Sequence, residues 1–187
     1  MAIQSLRLET NRLILRPIAL GDVDDFLEYH SNPDVVRYIP WPVRDREMVV
    51  EWLERMLGLV KSDLQEDGDF ILLSWELKST GQVIGQSNLK LDSKEDKRAE
   101  FGYVTHQGFQ RQGYALEASQ AVLDFAFSQF DIHRIIANID ADNPASAHLA
   151  EKLGMRREGH FLQSEWFKEH WCDMFLYAKL KSEHLSN

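Results

Sequence analysis

The stretch of this sequence best suited to chemistry is Gln110-Arg111-Gln112-Gly113-Tyr114-Ala115. It joins a run that reads as a strand, ending near Thr105, to one that reads as a helix from Tyr114. The first turn of a helix has amide N–H groups without intrahelical partners and carries partial positive charge, so such a junction suits a phosphate group. Gly113 and Ala115 carry little or no side chain, which lets backbone amides come close to an anion. Those are the requirements of a pyrophosphate cradle. Two other phosphate patterns do not fit. Gly108 and Gly113 have P-loop spacing, but Tyr114-Ala115 stands where that loop needs Lys and Ser or Thr. The dinucleotide pattern G-x-G-x-x-G is absent. Taken alone, the loop also reads as a plain glycine turn capping a helix.

The surrounding runs say what must position this loop. Residues 6–18 hold two short alternating stretches and read as a strand. Gly21-Asp22 opens an amphipathic helix with Val23, Phe26 and Leu27, which ends before Pro33. Residues 35–41 are apolar and broken by Pro40 and Pro42, which predicts a loop or short turn. Residues 44–60 predict a helix with Met48, Val49, Trp52, Leu53, Met56, Leu57 and Val60 on one face. Three strand-like runs follow, at 70–77, 83–91 and 98–105, separated by Ser79-Thr80-Gly81 and by the charged segment 92–97. Two such turns in succession predict an antiparallel meander.

Beyond the loop, residues 114–127 predict a helix with the small stripe Ala115, Ala118, Ser119, Val122 and Ala126, which allows close approach to a sheet. A β-branched strand at 133–140, a short helix at 144–152 ended by Gly154, and strands at 155–161 and 171–180 complete the chain. The order β-α-α-β-β-β-α-β-α-β-β predicts an α/β fold, a mixed sheet with helices on both faces.

The 187 residues suffice for one domain with a full core, spanning 1–187. Hydrophobic residues at 44% and charged residues at 27% are ordinary for a soluble globular protein. No stretch approaches the ~18 apolar residues of a membrane span. Residues 1–12 lack the apolar run of a secretory signal. The one cysteine, Cys172, excludes an intramolecular disulfide and reads as a packed thiol in a late strand. Together these predict a cytoplasmic protein with no membrane partner. A net charge of -9 argues against a nucleic-acid partner and is compatible with a cationic substrate. His148 and Glu151 have helix-neighbour spacing but no third ligand, so no metal is expected.

Four ordered pieces resemble the GNAT superfamily of N-acetyltransferases, in its RimJ/RimL-like group of ribosomal-protein N-terminal acetyltransferases. They are residues 8–16 (LETNRLILR), 81–85 (GQVIG), 99–104 with 110–118 (AEFGYV and QRQGYALEA), and 143–146 with 151–155 (NPAS and EKLGM). The resemblance covers almost the whole chain. It implies the acyl-CoA N-acyltransferase fold, a mostly antiparallel central sheet splayed between the fourth and fifth strands. It implies acetyl-CoA as co-substrate, with the pantetheine arm in that gap. Main-chain groups of Tyr103, Val104 and Thr105 would bond the arm, and Asn143 would bond it from the other side. Amides of Gln110, Arg111, Gln112, Gly113, Tyr114 and Ala115 would hold the pyrophosphate. The reaction implied is transfer of acetyl to a primary amine by direct attack in a ternary complex. The acceptor would be a peptide N-terminus or a small-molecule amine, and the protein a monomer or homodimer.

Amine acetylation needs a neutral amine, a polarised thioester and a protonated leaving group. A lysine-type amine of pKa ~10 is mostly charged at neutral pH, whereas an α-amino group near ~8 needs less help. The resemblance puts Glu100 on the strand beside the thioester, where its carboxylate would act as base. Glu100 also reads as a solvent-facing residue paired with Lys97 or Arg98. Many GNAT enzymes carry a tyrosine acid four residues before the glycine that matches Gly154, and here that residue is Ala150. Ser146, one helical turn earlier, would bond the sulfur instead, or serve only as part of a helix cap. The departure at Ala150 leaves a catalytically weak CoA-binding regulatory module as an alternative. Trp41, in the proline-bounded loop that would border the acceptor cleft, is the candidate acceptor contact.

Overall fold

The alternating runs form eight strands: β1 (Leu8–Glu9), β2 (Leu13–Pro17), β3 (Phe70–Leu77), β4 (Val83–Ser93), β5 (Arg98–Thr105), β6 (Arg134–Asp140), β7 (Arg156–Phe167) and β8 (His170–Leu180). A computed structural model, which describes residues 6–185, joins them in one sheet of order β1-β2-β3-β4-β5-β6-β8-β7. Met1–Ser5, the start of the segment read above for a signal, and Ser186–Asn187 lie outside the described residues. All neighbouring strands are antiparallel except β5 and β6. The helices are α1 (Val23–His30), α2 (Pro33–Val36), α3 (Arg46–Leu59), α4 (Tyr114–Gln129), α5 (Pro144–Lys152) and α6 (Lys181–Leu185). None is long and apolar enough to cross a membrane among the described residues.

Strand alternation sorts the core into two layers. On one face Ile71, Leu73, Trp75, Leu89 and Phe101 meet Ala118, Val122, Leu123 and Ala126 of α4 and Leu149 and Ala150 of α5. The small stripe of α4 is buried there, which brings that helix close to the sheet. On the other face Leu72, Val83 and Val104 meet Phe26 and Tyr29 of α1 and Val49, Trp52 and Leu53 of α3. Each fully buried side chain of this size stabilises by roughly 1.5–3 kcal/mol. Gly85 is required where the layers meet the sheet. A Cβ there would lie 2.5 Å from the Trp75 ring and 2.7 Å from the Val104 carbonyl oxygen.

The structure departs from the sequence reading at several elements. Residues 6–18 are a hairpin rather than one strand, because Thr10 turns the chain: its amide donates to the Leu13 carbonyl at 3.0 Å and its hydroxyl accepts from the Leu13 amide at 2.9 Å. Part of the predicted loop 35–41 is the end of α2, nucleated by Asn32, whose Oδ1 accepts from the Asp34 amide at 2.9 Å, and by Pro33 in the first turn. Met48 and Leu57 are 37% and 38% exposed, since only the Val49, Trp52, Leu53 stripe of α3 reaches α1 and the sheet. Strand β7 runs to Phe167 through a bulge between Phe161 and Glu165, and α6 follows β8.

One feature of the sheet positions the candidate site. β5 and β6 pair only at Arg98↔Arg134, Ala99↔Ile135 and Glu100↔Ile136. Beyond Glu100, β5 stays with β4 as far as Thr105, while β6 stays with β8 as far as Asp140. A wedge therefore opens between the predicted fourth and fifth strands.

Candidate active site

The wedge exposes one edge of β5. The His106 amide donates to the Ile84 carbonyl on β4, and the Val104 carbonyl lies against Gly85 on the same side. Alternation then turns the main chain of Tyr103 and Thr105 toward the wedge and that of Val104 toward β4. Of the three residues singled out for their main chain, two face the gap. Unpaired strand groups of this kind accept an added extended chain. The Thr105 hydroxyl is buried at the same place without a partner among the described residues.

The wedge leads to the N-terminus of α4. Gly113 is the N-cap, with φ +85°, and no side-chain cap bond is made there among the described residues. Arg111 is also left-handed, with φ +59°. The first-turn amides of α4 are therefore open to an anion. Gln110, Arg111, Gln112 and Gly113 are exposed, and Tyr114 and Ala115 half-buried. Arg12 pins the loop. Its Nη1 donates to the Gln112 carbonyl at 3.0 Å, its guanidinium stacks 4.0 Å from the Tyr114 ring, and its Nε bonds Glu117 at 2.6 Å. Burial would raise the Glu117 carboxyl, but bonds from Thr10 and Arg12 outweigh it and hold the group below its usual range. Glu117 thus stays paired rather than facing an incoming anion. Behind the loop, His106 accepts from the Gly108 amide at 3.0 Å and bonds Glu28 at 2.9 Å.

Side chains converge on the wedge from both faces. Tyr103 points toward α4 and α5, packed near Trp75 and Phe101, and its hydroxyl meets Ser146 Oγ at 3.0 Å. Burial pushes the Tyr103 phenol up, against a smaller opposing effect of Ser146, so it stays protonated. Asn143 is the N-cap of α5; its Oδ1 accepts from the Ser146 amide at 3.2 Å. Ala150 is buried in the core below Ser146. Glu100 lies on the opposite face, toward α1 and α3. Its Oε1 accepts from Asn138 Nδ2 at 3.0 Å, bridging β5 and β6 where they part. The predicted alternative partners are engaged elsewhere: Arg98 with Asp92 and Asp96, Lys97 with Asp131.

Trp41 sits on the Glu100 face of the molecule, half-buried, its ring 5.7 Å from His30 and 4.8 Å from the Arg44 guanidinium. The Lys168 Nζ at the β7–β8 turn bonds the Val36 carbonyl, tying that turn to the same loop region. Three contributors lie outside the sequence reading: the Tyr103 phenol, Arg12 and Asn138. Arg12 and Tyr103 stand within resembling pieces, at 8–16 and 99–104, but nothing in those pieces marks either side chain. Cys172 is buried, and burial followed by the Asp140 carboxylate keeps it a thiol. No group of three or more His, Cys, Asp or Glu among the described residues is arranged to hold a metal ion.

Comparison with known proteins gives a family. Residues 12–156 match the model of the acetyltransferase (GNAT) domain. An uncharacterized N-acetyltransferase, p20, of Bacillus licheniformis is 31% identical over 178 residues, 95% of this chain and 97% of that protein. The crystal structure of a GNAT-family acetyltransferase from Bacillus anthracis has a TM-score of 0.84 at 29% identity, covering 95% of this chain and all of that one. Two relatives with named acceptors are each 27% identical over 94% of this chain. One is a spermidine N(1)-acetyltransferase of Vibrio cholerae, covered to 97%, and the other a [ribosomal protein uS5]-alanine N-acetyltransferase of Escherichia coli, covered to 91%.

Proposed function

The chain belongs to the acetyltransferase (GNAT) family and is an N-acetyltransferase; from that premise we propose that its donor is acetyl-CoA and its acceptor the free α-amino group of a peptide. The observation that carries the donor is the wedge running into an uncapped helix N-terminus. Gap-facing main chain at Tyr103 and Thr105 fits an extended arm with amide groups, and the open amides of α4 fit a diphosphate. One domain over 1–187, working in the cytosol, suffices for this reading.

Acetyl-CoA supplies an activated acyl carbon and a thiolate that leaves readily. Glu100 takes the proton of the amine, directly or through a water, on the α1/α3 face. Ser146 turns its hydroxyl hydrogen toward the departing sulfur on the opposite face. The Tyr103 phenol lies 3.0 Å from Ser146 Oγ; with the phenol as donor that hydrogen is left free, a role that compensates for alanine at position 150. Tyr103→Phe should lower kcat about tenfold, the scale of one lost hydrogen bond. It should add nothing to Ser146→Ala, because both act through one hydroxyl. Additive losses in the double variant would separate the two residues.

The acceptor reading rests on the loop Tyr38-Ile39-Pro40-Trp41-Pro42, an apolar rim stiffened by two prolines, which suits an extended peptide better than a polycation. The two named relatives differ on this point, so the acceptor is tested by a panel of N-terminal peptides and polyamines, read as released thiol. A peptide with a free α-amine should outperform spermidine, and Trp41→Ala should raise the acceptor KM more than that of acetyl-CoA. Efficient turnover of spermidine with none of any peptide would overturn the acceptor and leave acetyl transfer standing.

A further inference from the structure

We propose that Arg44 and the Trp41 indole N–H form an anion subsite that takes a carboxylate of the acceptor. The inference rests on the peptide reading above and narrows it to peptides with an acidic side chain close behind the reacting amine.

Arg44 is 7% exposed, and a buried charge is normally paired or solvated. Its Nη1 donates to His30 Nδ1 at 3.0 Å. Its other guanidinium nitrogens have no hydrogen-bond partner, and no carboxylate pairs with it, among the described residues. The charged group it senses is another cation, Arg55. Burial and Arg55 together push the guanidinium down only to about 10, so it remains charged at neutral pH.

The groups around it supply no negative charge. His30 is fully buried, and burial, opposed by its bond to Gln86 and assisted by the Arg44 charge, lowers it to about 4. The neutral ring donates from Nε2 to Gln86 Oε1 at 2.9 Å, which leaves Nδ1 to accept from Arg44. Tyr29 donates to the same Gln86 oxygen at 3.2 Å. The chain of donors thus runs from Arg44 inward and ends on a neutral amide.

The indole rings of Trp41 and Trp52 lie 4.8 and 4.9 Å from the Arg44 guanidinium carbon. Both rings present a face to the guanidinium carbon, and the nitrogens other than Nη1 are left for a carboxylate, which a guanidinium fork matches. Trp41 adds a donor of its own: its Nε1 is buried and has no partner among the described residues. An unpaired buried cation beside an orphaned buried N–H is the reverse of what a polyamine pocket requires.

The place is consistent with an acceptor contact. Gln86, under His30, pairs with Val104 on β5, and Glu100 lies on the same sheet face four residues along that strand. That is about 14 Å, a reach an extended peptide covers in about four residues.

The test compares kcat/KM for matched peptides with a free α-amine and either Glu or Gln at positions 3 and 4. Tetrapeptides without acidic side chains, with a free or amidated C-terminus, form a second arm. The wild-type enzyme should favour the Glu peptide about tenfold or more, the scale of a charge-assisted pair. Arg44→Gln should bring the ratio near one, and Arg44→Lys should keep part of it. Both variants should bind CoA as the wild type does by calorimetry, which also reports that they fold. A ratio unchanged by Arg44→Gln, with both peptides slowed alike, would reduce Arg44 to packing and overturn the subsite. Equal rates on Glu and Gln peptides in the wild type would overturn it while the peptide reading stands. Preference confined to the free-carboxylate tetrapeptides would support the subsite and overturn the acidic side chain as its source. No turnover of any peptide would instead defeat the acceptor reading itself.

Discussion

Gly113→Glu is expected to abolish CoA binding in a chain that still folds. Gly113 is left-handed at φ +85°, and a Cβ there would sit 3.3 Å from Arg12 Nη2. A side chain in that conformation costs about 1 kcal/mol, against the ~5–15 kcal/mol that holds a domain together. Folding should therefore survive. Binding should not, because a carboxylate at the N-cap of α4 occupies the position where the helix amides would meet a diphosphate. It replaces charge-assisted hydrogen bonds with like-charge repulsion, and the loss should exceed about 10²-fold. Gly113→Ala separates the two effects: it carries the backbone strain without the charge and should lose far less. Calorimetry with CoA, beside a thermal melt, measures both. A folded Gly113→Glu variant with wild-type affinity would take the diphosphate away from this loop.

Glu100→Gln should slow turnover about 10²- to 10³-fold at neutral pH. The substitution keeps an oxygen that can accept from Asn138 Nδ2, now at 3.0 Å, so the bridge across the opening strands is retained and only the proton acceptor is lost. An α-amine of pKa ~8 is mostly protonated at pH 7, when the base is needed most. As pH rises past that value the amine loses its proton to water unaided. The gap between variant and wild type should therefore narrow with rising pH. A constant ratio across the range, or a profile identical to wild type, would remove Glu100 from proton transfer.

Both predictions draw on residues that local sequence marks. The limits of β3, β5 and α5 coincide with runs legible in the chain, because two-residue alternation, the Asn143-Pro144 cap and the turn at Ser79-Thr80-Gly81 act over a few residues. The small residues of Gln110–Ala115 are legible for the same reason: a cradle for an anion is made of backbone, and backbone exposure follows from small side chains and a helix start. Where local signals are short or ambiguous the reading fails. Thr10-Asn11-Arg12 turns the chain inside what alternation presents as one strand, and α2 has only four residues.

The rest of the site depends on pairings that no local pattern encodes. Tyr103 meets Ser146 across 43 residues, Glu100 meets Asn138 across 38, and Arg12 holds Gln112 across 100. Each requires both the register of the sheet and the face to which the side chain points, and a shift of one residue would reverse the face. Sequence by itself determined most of the elements and marked the phosphate-suited loop, while the family resemblance supplied Glu100 as candidate base. Tertiary structure alone decided that the expected splay of β5 from β6 begins after Glu100, that Glu100 and the Tyr103–Ser146 pair lie on opposite sides of β5, and that Arg44 is buried without a counter-ion among the described residues. Local steric and hydrogen-bonding preferences act within a turn or two of chain, whereas the shape of a cleft and the charge inside it arise only when distant segments exclude water together.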